Sequence, residues 1–509
     1  MSFNLIVFYR YDYPNTLSNK QIIVHLFEWK WLDIAKECED FLQYYGYGAI
    51  QVSPPMEHIT LSKNNDMPWW VRYQPVSYKL ESRSGNETQF IEMVERCNKV
   101  GIRIIVDVVF NHMTGIGMKQ GSDGVSSSSG SYFDSTPDVQ NYPAAGYDKI
   151  HFNNRRCNRS IKEYEYRTSV ESVKNCRLKG LLDLNQANEH VRSVIVDYLD
   201  HLLNIGVAGF RIDASKHMWP GDLEIILKRT KNIKNNIYGP NKRPFAVHEV
   251  IDLGGEAIRC DEYITIGRYT DMNYGKIIAQ AARRQMDWSD LVQFGAGYGY
   301  GNLASHDVLV FIDNHDNQRE LNPYVLNYKE RDQYALCVGF MLAWNYGLPR
   351  IMSSYVFETL DQGPPNYGQS RNYETKSPII KSDKSCKWKS GWVCEHRWQA
   401  IRAMTLFRMA AYDSNTSDFT VDKHRLAFAR TGKGYFALNN GDNIWQITVD
   451  TKLPPGDYCD VWSGELELNQ CTGKTITVDH DGLISFFLNY LLIIFRFIWL
   501  FQLNLLTYP

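Results

Sequence analysis

Three acidic residues each close a short apolar, β-rich run. They are Asp213 in Gly209-Phe210-Arg211-Ile212-Asp213, Glu249 in Phe245-Ala246-Val247-His248-Glu249, and Asp316 in Phe311-Ile312-Asp313-Asn314-His315-Asp316. A single acid at a strand end is as readily a helix N-cap as a chemical group. Three in the same position ask for another explanation. In a closed parallel barrel the strand C-termini meet on one face, so acids 36 and 67 residues apart can line one cleft. Two carboxyls flanking a bond, one ionised and one protonated, are what cleavage of a glycosidic bond requires. Arg211 precedes Asp213 by two residues, so strand alternation puts both on one face, where a guanidinium keeps a carboxylate ionised. Glu249 has the opposite task of holding a proton, which burial or a like charge such as Asp316 serves.

The elements that must position these acids are legible as an alternation. Apolar runs at Ile22–Phe27, Ala49–Ser53, Ile102–Phe110, Val207–Ile212, Phe245–Val250, Leu309–Ile312 and Arg350–Ser353 read as strands. Amphipathic stretches at Trp31–Leu42, Glu87–Val100, His190–Ile205 and Arg331–Ala343 read as helices. About eight such units predict an α/β fold, a (β/α)8 TIM barrel over 20–110 and 185–412. About 75 residues rich in Gly, Ser, Asn and Tyr interrupt the third unit. They are too long for a loop and predict an inserted subdomain after strand 3, over 111–184, with Ser126–Ser131 as a mobile turn. From 413 to 487 short alternating segments with turns at Asn440-Gly441 and Ser463-Gly464 predict an antiparallel β-sandwich domain.

Charge and composition exclude other classes. Lys and Arg number 55 against 57 Asp and Glu, so no basic surplus points to nucleic acid. The ten cysteines form no CxxC pair, which removes zinc-ribbon and thioredoxin readings. The N-terminal segment 1–19 starts with an apolar run too short for an ordinary signal peptide. At the other end Leu483–Leu506 is long enough to span a bilayer, but Asn489 and Arg496 interrupt it. An aberrant apolar tail, 488–509, is favoured over a membrane anchor.

Longer motifs carry a resemblance. Asn111-His112, Gly209 to His217, Glu249-Val250-Ile251-Asp252 and Phe311 to Asp316 resemble the four signature segments of the α-amylase family of glycoside hydrolases. Val24 to Trp29, Pro68-Trp69-Trp70, Arg72 to Tyr78 and Val393 to Trp398 resemble its animal, chloride-dependent members, arthropod-like ones among them. The resemblance implies endo-acting, retaining hydrolysis of α-1,4 bonds in starch, glycogen and malto-oligosaccharides. It makes Asp213 the nucleophile, Glu249 the general acid/base and Asp316 the stabiliser of the transition state. It puts Trp69, Trp70, Tyr73, Gln74, His112, Arg211, Lys216, His217 and His315 along the substrate. A buried aromatic plug is the competing reading for each of the aromatic residues.

The resemblance also implies two ions. Asn111, Asp183 and the backbone carbonyls of Lys174 and His217 match the ligands of a calcium ion, Lys174 standing where relatives carry Arg. Arg211, Asn314 and Arg350 match those of a chloride, and an anion suits two cationic forks and an amide. Four disulfides are implied, Cys38–Cys97, Cys157–Cys176, Cys386–Cys394 and Cys459–Cys471, with Cys260 and Cys337 left over. Four bridges call for an oxidising compartment, hence a secreted protein, in the gut lumen and monomeric. Two departures stand out. His248 replaces a Gln beside the acid, which would alter the pH profile, and a Gly-rich loop after Asp316 is missing. Two other readings stay open: an α-glucosidase or transglycosylase on the same scaffold, told apart by release of glucose alone, and a catalytically dead carbohydrate-binding or transporter-accessory protein, which would lack the acids.

Overall fold

The computed structural model describes residues 11–320, 322–467 and 470–488. Eight parallel strands close a barrel in the order β1-β8-β7-β6-β5-β4-β3-β2. They are β1 (Ile22–Leu26), β2 (Tyr47–Val52), β3 (Arg103–Val108), β4 (Gly209–Ile212), β5 (Phe245–His248), β6 (Arg268–Thr270), β7 (Val308–Val310) and β8 (Leu348–Ser353). Seven coincide with runs read from the sequence. The sixth was hidden because Arg-Tyr-Thr is three residues long and carries no apolar run.

Strand alternation sorts the side chains by position. Ile22, Val24 and Leu26 of β1 pack outward against helices, while Ile23 and His25 point inward. The inner face is apolar at the N-terminal end, where Ile23, Ala49, Ile105, Phe245, Leu309 and Leu348 fill it. One turn of the pleat higher it becomes polar, with His25, Gln51, Asp107, Arg211 and Arg350, all buried. Register makes this layer: Asp107 lies opposite Arg211, and His25 opposite Gln51. A barrel with an oily floor and a charged top has its chemistry at the C-terminal mouth.

Helices surround the strands, including α1 (Trp31–Asp40), α2 (Glu87–Lys99) and α3 (Glu189–Ile205). Asn86 caps α2 in a capping box with Gln89, and Asn188 caps α3. Helix α3 ends at Gly206, whose φ of 120° suits a residue without a side chain. Cys38–Cys97 staples α1 to α2. All four bridges implied by the resemblance are formed, and Cys260 and Cys337 are free and buried.

The stretch between β3 and β4 has little regular structure but is firmly tied. His112–Gly115 pairs with Leu181–Asp183. The serine run is no mobile turn. Ser126–Ser127 pair with Ile59–Thr60, the N–H groups of Ser129 and Ser131 donate to Glu57 at 3.2 and 3.0 Å, and the Ser128 hydroxyl donates to the Glu81 carbonyl. Composition suggested freedom, and a buried carboxylate removed it.

After β8 the C-terminal part is antiparallel, as expected: β9 (Thr416–Asp422), β10 (Arg425–Arg430) and β11 (Gly434–Asn439) form one sheet. Further on, β12 (Trp445–Asp450) pairs with a last strand at Leu483–Leu488. The first residues of the apolar C-terminal run therefore belong to this sheet, and the rest, like Met1–Arg10, lies outside the described residues. No helix among the described residues is long and apolar enough to cross a membrane.

Candidate active site

Arg211 organises the barrel mouth. Its Nη1 donates to Asp107 Oδ1 at 2.7 Å and to Asp213 Oδ1 at 2.6 Å, and its Nη2 reaches Glu249 Oε1 at 2.5 Å. Asp213 directly follows β4 and Glu249 directly follows β5, neighbouring strands, which is why one fork spans both. Both acids are 7% exposed. Ala214, in the left-handed region at φ 50°, aims its N–H at Glu249 Oε2 at 2.8 Å. Asp316 stands at the wetter rim, its side chain 38% exposed. Its neighbour His315 links it to the rest. The His315 Nε2 is 3.5 Å from Asp316 Oδ2, and its ring stacks on Tyr73 with centroids 5.2 Å apart. The Tyr73 hydroxyl in turn donates to Asp107 Oδ2 at 3.0 Å. The three acids thus converge on one cleft, two on its dry floor and one at its edge.

The electrostatics follow from crowding. Burial pushes the Asp213 carboxyl well above the usual range, and Arg211 opposes that, while Glu249 and Asp107 add to it. Burial likewise raises Asp107, and partial desolvation raises Asp316 at the rim, with Arg211 the strongest cation opposing each. Packed on one guanidinium in a dry site, Asp107 and Asp213 each resist ionisation. Desolvation thus outweighs the guanidinium that the sequence predicts to keep Asp213 ionised.

The other expected residues lie around this cluster. Trp69 and Trp70 are half-buried on a 3-10 turn after β2, their indole N–H groups fixed to the Leu360 carbonyl and to Asp361, both at 2.9 Å. Gln74 is buried and accepts from the Gly115 N–H at 2.8 Å. His112 spends Nε2 on the Tyr73 carbonyl at 2.9 Å and Nδ1 on Asn111. Lys216 is buried, donating to the Ile251 carbonyl at 2.6 Å and pairing with Glu256. His217 is buried against the Val173 carbonyl at 3.0 Å. Burial holds His112 neutral, its pKa lowered to about 4, and His217 likewise, to about 3. His248 points away from the cleft, because Glu249 beside it points in. It bonds Ser215 and the Ile266 carbonyl, and burial lowers its pKa to about 4. It therefore does not titrate near neutral pH. Asp107 was missed in the sequence, although an acid inside the apolar run Arg103–Val108 was the signal for it.

Two groups of residues fit ions. Asn111 Oδ1 is buried with no hydrogen-bond partner, and the wholly buried Asp183 carboxyl is pushed well up by burial, with Asn153 donating to it at 2.7 Å. His112 pairs with Asp183 across the short ladder, and residues 173–174 face 217–218 through His217 Nδ1 and Lys174 Nζ, the latter donating to the Met218 carbonyl at 3.0 Å. An orphaned amide oxygen and a poorly paired carboxylate suit a hard cation. Among the described residues no three His, Cys, Asp or Glu cluster in metal-binding fashion, so the fit rests on amide and carbonyl oxygens. Arg211, Asn314 and Arg350 are the converse, buried donors to spare. Arg211 Nε has no partner, Asn314 Nδ2 has a Met272 sulfur at 3.9 Å, and Arg350 donates to Gln51 at 2.7 Å. Burial, helped by the neighbouring Arg211, lowers Arg350 to about 10 against the pull of Asp107, Glu249 and Asp313. These donors fit an anion.

Comparison with known proteins agrees with this geometry. Residues 36–353 match the family described as alpha amylase, catalytic domain, and residues 420–492 match alpha amylase, C-terminal all-beta domain. The chain is 43% identical to pancreatic alpha-amylase 2a5 of Mus musculus over 490 residues, covering 94% of this chain and 93% of that one. It is 43% identical to the Homo sapiens pancreatic alpha-amylase over 491 residues, covering 93% of each. Wild-type alpha-amylase I from Eisenia fetida superposes with a TM-score of 0.87 at 37% identity, covering 97% of this chain and 99% of that one. A variant of that earthworm enzyme, solved as a maltohexaose complex, matches with the same TM-score and identity, covering 96% and 98%.

Proposed function

The chain belongs to the alpha-amylase family and hydrolyses α-1,4-glucosidic bonds of starch, and from that premise we propose which residues do so and how. Asp213 attacks the anomeric carbon while Glu249 protonates the leaving oxygen. Water, deprotonated by Glu249, then releases the covalent glycosyl intermediate with net retention. Asp316 stabilises the positive charge that develops on the sugar. The observation that carries this reading is the Arg211 fork, bonded at once to Asp213 and Glu249. Sharing one guanidinium favours the short spacing of a retaining pair, about 5–5.5 Å, over one of about 6.5–9.5 Å that admits a water. Both Glu249 oxygens accept, one from Arg211 and one from the Ala214 N–H, which fixes the carboxyl beside Asp213.

Half-buried Trp69 and Trp70 offer sugar rings flat surfaces, while Tyr73 is buried behind them with its ring stacked on His315, which supports endo-acting cleavage of long chains. His112 acts by fixing the Tyr73 loop, and His315, neutral through burial, donates without ionising. Asn111, Asp183 and the carbonyls of Lys174 and His217 would hold calcium. Bound there, it would supply charge that ties the 111–184 subdomain to the barrel. Arg211, Asn314 and Arg350 would hold chloride, which would supply a negative charge to the acid cluster. Four disulfides support a secreted protein, and we retain the division into a barrel, the 111–184 insertion and a C-terminal β domain. Clearing of starch by the parent protein beside Glu249→Gln tests the assignment. We expect clearing by the parent and a loss of at least ~10³-fold in the variant. Equal clearing by both would refute the role of Glu249.

A further inference from the structure

Three Asn-X-Ser/Thr triplets occur in the chain: Asn86-Glu87-Thr88, Asn158-Arg159-Ser160 and Asn415-Thr416-Ser417. In a protein that passes through an oxidising secretory route, such a triplet accepts an N-linked glycan where its side chains can be reached. The fold treats the three differently. Asn86 spends its carboxamide oxygen on the Gln89 N–H at 3.0 Å as the cap of α2, and Thr88 lies inside that helix. Asn415 leads into β9, where the Ser417 hydroxyl is 3.0 Å from that of Thr431. At Asn158 both groups are free. Among the described residues neither its carboxamide nor the Ser160 hydroxyl has a hydrogen bond, and both residues are exposed.

The main chain under this triplet is held. Cys157 is bridged to Cys176, and Arg177 donates through Nη1 to the Asn158 carbonyl at 2.8 Å and through its N–H to the Arg159 carbonyl at 2.9 Å. The Ile161 N–H returns to the Arg177 carbonyl at 3.0 Å. A sugar on Asn158 Nδ2 therefore leaves from a fixed point, and no hydrogen bond of the fold has to break to admit it. It also leaves into open space. Asn158 stands on the wall of a cleft of about 1270 Å³ between the insertion and the barrel helix Pro220–Arg229, lined also by Glu171, Asn175, Asp222 and Ile225. That exceeds the ~300–1,000 Å³ that a drug-sized ligand fills, which is room for the first sugars of a glycan. Arg155, Arg156 and Arg159 line the same wall, and all three are exposed. Exposed loops are where proteases nick a folded chain, and arginines so close together are targets for those that cut after basic residues.

We propose that Asn158 carries an N-linked glycan that covers this cleft and shields the arginines around it, which rests on the chain being secreted. Attachment joins Asn158 Nδ2 to the anomeric carbon of an oligosaccharide carried on a polyprenyl diphosphate. The bond from that carbon to the diphosphate oxygen breaks and its electron pair leaves with the diphosphate, which also takes up the proton that the amide gives up. The glycan is bulky and solubilising, so it adds cover on the surface without a new contact in the core.

Parent protein, Asn158→Gln and Ser160→Ala, each made in animal cells and collected from the medium, test this. After glycans are released with an amidase, peptide mass spectrometry should show Asn158 converted to the acid in the parent. In Ser160→Ala, which keeps the asparagine but loses the hydroxyl that completes the triplet, Asn158 should be intact. Both variants should fold as the parent does, because neither side chain makes a bond. Under limited digestion by an arginine-specific protease, both variants and folded parent stripped by the amidase should be nicked after Arg155, Arg156 or Arg159 severalfold faster than the intact parent. Parent protein in the medium with Asn158 unmodified overturns the proposal and leaves secretion standing. A modified Asn158 with equal nicking of all four samples overturns the shield. Parent protein kept inside the cells with its bridging cysteines reduced overturns secretion and the glycan together.

Discussion

Asp213→Asn separates what the carboxylate does for chemistry from what it does to stability. The substitution is nearly isosteric, and the Asn oxygen can keep the 2.6 Å bond from Arg211, which retains Asp107 and Glu249 as counter-charges. An amide cannot attack carbon, so kcat on starch should fall by about 10³–10⁶, a barrier increase of about 4–8 kcal/mol. Stability should move the other way. Asp213 is buried, and burial raises its carboxyl well above the ordinary value, so the folded protein holds this proton more tightly than the unfolded chain. At pH below about 4 both states are protonated and the group costs nothing. As pH rises through the folded value the charge is forced into the dry site, and the penalty is complete above it. Relieving it should stabilise the protein by about 1–2 kcal/mol at neutral pH, raising Tm by about 1–3 °C, with little difference near pH 4. Reducing-end release from starch and thermal unfolding at both pH values measure the two effects. Activity within tenfold of the parent would refute the nucleophile. A Tm at pH 7 below that of the parent would refute the burial argument.

Two other outcomes concern the ions. Adding chloride to halide-free parent protein should raise kcat severalfold, and Arg350→Gln should abolish that response, since it removes a buried donor whose side-chain acceptor among the described residues is Gln51. An equal chloride response in both proteins would exclude this site. Chelation should lower the Tm of the parent by several degrees, because a cation at 100-fold its dissociation constant contributes about 2.7 kcal/mol. In Asn111→Ala, which lacks the orphaned amide oxygen, Tm should respond less to chelation and to added calcium. A full calcium response in that variant would place the ion elsewhere.

What local sequence could determine is what depends on period and order. Apolar runs marked seven of the eight strands, and a two-residue repeat put Arg211 and Asp213 on one face, although the same repeat turns His248 away from the cleft, against the expectation that it alters the pH profile. Strand ends collected the acids on one rim because parallel strands in a closed barrel leave no other arrangement. The tertiary structure decided everything that a residue acquires from partners far along the chain. Arg211 meets Asp107, 104 residues earlier, only because β3 and β4 are adjacent in register. The serine run is pinned by Glu57, more than 70 residues away, and Tyr300 is held by Asp252, 48 residues before it. Burial, which keeps His112, His217 and His248 neutral and raises Asp213, is likewise a property of the assembled barrel. Periodicity is written along the chain, whereas desolvation and pairing depend on which distant segments the fold brings into contact, and no local pattern records that.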